Sequence, residues 1–105
     1  METVGMSPEE RRTLEALESA FRELIVPVRS GFDVDETRLR DVLAELSAFN
    51  EVWAGKQLVP KSLALWMLTA VTVLSDVVEH QGTRAAVGAE RAMSELLPAI
   101  SAVLI

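Results

Sequence analysis

The chain has no cysteine, no tyrosine, one histidine and no basic excess among its 105 residues. Each shortage removes a class of chemistry. Without cysteine there is neither a disulfide nor a thiolate metal site. A single imidazole leaves general acid–base work to carboxylates, which fall mostly on solvated helix faces rather than in the buried settings catalytic acids need. Ten Lys and Arg against sixteen Asp and Glu, a net charge of −6, offer no patch that could displace counterions from nucleic acid. No Gly-rich phosphate loop, Gly-x-Ser-x-Gly or His-Glu-x-x-His motif is present. The expectation is a protein that is not an enzyme, holds no cofactor and does not bind nucleic acid. The opening METVGMSPEERR has no apolar run followed by a small-residue cleavage site, so no signal peptide is expected and the cytoplasm is the expected location.

What is present is aliphatic. Half the residues are hydrophobic but only 5% are aromatic, with Ala, Leu and Val dominant, a composition that suits helix-on-helix packing better than a β-sandwich. The length fits one domain over residues 1–105. Charge is unevenly placed. Residues 1–53 hold twelve acids and six arginines, whereas residues 54–105 hold four acids and four bases. The first half supplies solvated faces; the second is almost uncharged along its middle.

Four helices are legible, at about 8–29, 36–54, 60–81 and 84–104. In the first, Ser7-Pro8-Glu9-Glu10 reads as a capping box with proline at N1. Leu14, Leu17, Phe21, Leu24, Ile25 and Val28 share one narrow arc behind it. Pro27 falls outward, and Gly31 is placed to close the segment after a kink or last turn. Asp35 is the best N-cap for the second helix, with Val34 and Leu39 as a hydrophobic staple and Gly55 as a C′ residue. Its apolar arc contains one polar exception, Asn50. Pro60 suits N1 of the third helix, Gly82 its stop, and Thr83 the N-cap of the fourth. Pro98 points outward while Ala99, Ile100, Val103 and Leu104 stay in phase, so the last helix is expected to resume beyond it. Short loops between helices of similar length predict an all-α, four-helix, antiparallel bundle-like domain with the third helix central.

That third helix contains Leu63–Val78, LALWMLTAVTVLSDVV, with one formal charge at Asp76. Sixteen residues rise roughly 24 Å, short of a hydrocarbon core of about 30 Å, so a core helix is expected rather than a membrane span. Its wheel has a wide apolar side through Leu63, Met67, Val71 and Leu74. A mixed side carries Leu65, Leu68, Thr69 and Thr72.

Three constellations invite a function. Asp76 and His80, i and i+4, could give a divalent metal two ligands, but a single His also suits a helix end simply because imidazolium favours the negative dipole. Asn50, Trp53, Trp66 and Met93 could line an apolar pocket between the second, third and fourth helices, with the amide as its polar handle. Met and Trp at helical spacing are more often core. The mixed side of the third helix, with Val103 and Leu104 at the chain end, forms a surface for self-association. The leading expectation is a non-enzymatic interaction module that forms a homodimer. The alternatives are a carrier or sensor for a small apolar ligand, or an acidic inhibitor of the immunity-protein or antitoxin type.

Overall fold

Ser7 begins the first helix as its sequence dictates. In the computed structural model, which describes residues 6–55, 59–80 and 82–104, Ser7 Oγ accepts from the Glu10 N–H at 3.1 Å, and the Ser7 N–H donates to Glu10 Oε1 at 2.9 Å. This capping box starts α1, Pro8–Arg29. Ser7→Ala removes one half of the reciprocal pair, and a loss of about 1 kcal/mol is expected in urea denaturation. Pro27 lies inside α1 on its exposed side and does not end it. The helix closes beyond it in a Schellman motif: the Phe32 N–H donates to Pro27 O, the Gly31 N–H to Val28 O, and Gly31 takes φ +101°.

Asp35 Oδ1 then accepts from the N–H groups of Thr37 and Arg38, at 2.8 and 3.2 Å, to start α2, Glu36–Val52. This helix ends two residues earlier than its pattern predicts. Trp53 leaves the spiral at the C-cap, and Gly55 takes φ +87° two residues further on. α3 runs Lys61–His80 and α4 runs Thr83–Leu104. Both begin one residue away from the expected position. The carbonyls of Pro60 and Gly82 accept the first helical N–H groups, so Pro60 stands at the N-cap of α3 rather than at N1, and Gly82 rather than Thr83 precedes the first residue of α4. α4 passes through Pro98 without stopping, with Ile100 buried beyond it. The expected loop at 56–58, the end of α3 at Gln81, the Thr83 side chain, the residues before Met6 on which the signal-peptide expectation partly rests, and Ile105 lie outside the described residues.

Cross-helix contacts fix how the helices run. Arg38 pairs with Glu23 at 2.6 Å, and Trp53 Nε1 donates to Glu10 O and Thr13 Oγ1 at 3.2 Å, so α2 descends beside α1. Ser62 donates to Glu18, and the Arg22 guanidinium lies 5.6 Å from the Trp66 ring centroid; hence α3 rises parallel to α1. Ser75 Oγ meets Met93 Sδ at 3.5 Å in the α3–α4 hairpin, and Arg91 reaches Glu36 at 3.6 Å, which sets α4 parallel to α2. Neighbours therefore follow the order α1, α2, α4, α3, with α2 and α3 across a diagonal. The connection from 53 to 60 makes this possible, because eight residues can span about 26 Å while a bundle diagonal at ordinary helix spacing is about 14 Å.

Among the described residues every buried one is apolar. Phe21, Phe49, Leu17, Leu24, Leu63, Leu74 and Leu96 fill the interior, while Ala70, Ala89 and Ala92 let backbones approach. The third helix is not central. It packs on α1 and α4 only, burying Leu63, Met67, Ala70, Leu74 and Val77, while Trp66, Val71, Val73 and Val78 are half-buried on its flanks. Its full 20 residues rise about 30 Å. The 16-residue run had looked too short for a bilayer, but the helix as formed is long and apolar enough to cross one by length and composition. Here its buried stripe faces other helices.

Candidate functional site

The residues that α3 leaves outside form a regular stripe. Lys61, Leu65, Leu68, Thr72, Asp76 and Glu79 recur every three or four positions and are all exposed. Leu65 and Leu68 are each 64% exposed, far more than a helix of this composition needs to leave in water. Thr69 is half-buried beside them.

α4 extends this surface. The Ser75–Met93 contact sets the antiparallel register, so Leu68, two turns before Ser75 on the same flank, lies level with about residue 100. Leu97 and Leu104 share the flank of α4 that carries Met93, roughly one turn to either side of that level. They are 44% and 57% exposed. Four leucines therefore border the α3–α4 seam near one end of the molecule. Val103, expected to belong to this surface, is half-buried against the core. Leu97 was missed, although its position beside the inward Leu96 places it off the inner face.

The four residues of the suggested pocket do not meet. The Trp53 ring stacks on Phe49 with centroids 4.9 Å apart and donates to α1. Trp66 lies under Arg22, and Met93 touches Ser75. With α2 and α3 on a diagonal, the wheel of each helix was correct about a face and silent about what it faces. Asn50, which the wheel put among apolar residues, is exposed. It borders a shallow groove of about 220 Å³ with Leu43, Leu46, Ser47, Ala99 and Ala102. The facing alanines are too small to cover it.

Asp76 and His80 do come together. His80 Nδ1 is 3.0 Å from Asp76 Oδ1 and 3.3 Å from the Asp76 carbonyl oxygen, with both side chains about two-thirds exposed. The ring nitrogen thus faces the carboxylate, and among the described residues no third His, Cys, Asp or Glu joins them. A larger open groove, about 810 Å³, lies at the α1–α2 turn, where Val26, Pro27, Phe32 and Val34 form an apolar floor between Arg22 and Arg38. Phe32, placed just after Gly31, was the available signal for it. No family model matches this chain, and no curated protein or solved structure matches it.

Proposed function

We propose that this chain is a non-enzymatic helical module that self-associates as a homodimer through the outer face of α3 and the adjoining end of α4. The observation that carries this reading is the exposure of Leu65 and Leu68, 64% each, beside Leu97 and Leu104. Four leucines from each of two copies would contribute roughly 10 kcal/mol of gross burial, against an association cost of about 4–15 kcal/mol. At the low end of that cost the balance is about −6 kcal/mol, a dissociation constant on the order of tens of micromolar, with an interface near the lower end of the stable class. One self-complementary patch is all that two-fold symmetry needs.

Light scattering at roughly 0.5–1 mM, well above that dissociation constant, tests this directly. The expected mass is twice the 11.5 kDa of the chain. Leu68→Asp should return the single-chain mass while far-ultraviolet circular dichroism stays helical and the melting temperature moves by no more than a few degrees. A wild type still monomeric at ~1 mM, well above the tens of micromolar expected of such an interface, would sink the proposal. So would an unfolded Leu68→Asp, because the side chain would then belong to the protein's own core.

A further inference from the structure

The charges of the exposed α3 stripe run in one direction. Lys61 lies in the first turn, and Asp76 and Glu79 in the last two, with Leu65, Leu68 and Thr72 between them. This order opposes the helix dipole, which favours acids at the N-terminus and bases at the C-terminus. α1 obeys that preference, with Glu9 and Glu10 in its first turn and Arg29 in its last. In α3 only His80 does so. Lys61 makes no ion pair among the described residues, and Asp76 uses Oδ1 toward His80, leaving Oδ2 to accept. A charge order that costs the isolated helix a little becomes favourable when a second helix lies antiparallel to it.

Building on the self-association reading, we infer that the partner is a second copy whose α3 packs antiparallel on this one, clamped at both ends by Lys61 against the partner's Asp76 and Glu79. A two-fold axis crossing α3 between residues 68 and 70 places each Lys61 level with residues 76–79 of the other copy. Leu68 then meets the partner's Leu68, and Leu65 the partner's Thr72. Spacings of four, three and four along Lys61, Leu65, Leu68 and Thr72 are those of a coiled-coil seam, so the leucines can act as knobs. The alternatives carry repulsion. Parallel pairing sets Lys61 against Lys61 and Asp76 against Asp76. Packing α3 on the partner's α4 in the hairpin's own register brings Glu79 to the partner's Glu90. Like charges in register oppose association and so select the antiparallel pair.

The absence of cysteine makes the test clean, because any introduced thiol reports alone. Under mild oxidation Leu68→Cys should cross-link to itself and Lys61→Cys should not. A mixture of Lys61→Cys with Asp76→Cys should give the mixed cross-link. In parallel, Lys61→Glu and Asp76→Lys should each weaken the dimer about tenfold at low salt. The double variant should recover to within about threefold of wild type, since the reversed charges face each other again. If the wild type is a dimer but Lys61→Cys cross-links to itself, or the double reversal gives no recovery, the antiparallel clamp is wrong while self-association stands. If Leu68→Asp remains a dimer, this face is not the interface, and the clamp falls together with the proposed surface.

Discussion

Phe21→Ala is expected to remove about 3–5 kcal/mol of stability. The Phe21 ring is fully buried near the middle of α1, the helix that packs on both α2 and α3. Alanine there deletes the transfer free energy of the ring and leaves a cavity. Phe21 lies in one connected cluster of buried side chains that spans all four helices, and close-packed interiors collapse only partly around a void. A domain of this size has about 5–15 kcal/mol in total, so the variant should be marginal at 37 °C. Urea denaturation at 25 °C and fixed protein concentration measures this, because dimerisation would add a concentration-dependent term. The midpoint should fall with little change in slope. Phe32→Ala is the control. That ring is 69% exposed at the α1–α2 turn, and its loss should stay within about 0.5 kcal/mol.

Such contrasts follow from patterns already legible in the chain. Local signals were read well because they are complete within a few residues. Ser7 and Glu10 cap each other, Asp35 caps α2, Gly31 closes α1, and the phase kept across Pro98 foretold that α4 continues. The inner arcs likewise agree with the buried positions, because a 3.6-residue period reports which side of a helix is apolar. The same period says nothing of what that side meets. Glu18 and Ser62 are 44 residues apart, and it takes their contact together with that of Arg22 and Trp66 to show that α1 and α3 run in parallel. Trp53 bonding across forty residues to Thr13 carries no local mark either. Without the neighbour order, Trp53, Trp66 and Met93 could be drawn into one pocket that the diagonal placement of α2 and α3 does not form. The small errors at Pro60 and Gly82 have another cause: their carbonyls accept the first helical N–H groups as those of Ser7 and Asp35 do, but neither residue has a side-chain oxygen to mark the position.

The second large effect is expected at Leu74→Asp, six residues along the same helix from Leu68→Asp. Leu74 is fully buried, and no polar side chain lies among the residues of the core around it. The introduced carboxyl would find no hydrogen-bond partner, and burial of an unpaired group of this kind adds several kcal/mol to the ~2 kcal/mol of lost leucine burial. The total exceeds ~5 kcal/mol, enough to unfold a domain of ordinary stability at neutral pH. The pH dependence carries a definite sign. Burial raises the carboxyl's folded pKa above its unfolded value near 3.9, so the folded state holds the proton more tightly. The variant's deficit is therefore smallest below about pH 4 and grows by about 1.4 kcal/mol per unit as pH rises toward the folded pKa. Helicity followed by circular dichroism from pH 4 to 7 should show Leu74→Asp losing structure as pH increases. Leu68→Asp should stay folded throughout and change only its mass. A Leu74→Asp that stayed folded at pH 7 would mean that this side of α3 is wet. The division of α3 into a core face and a partner face would then fail at its base.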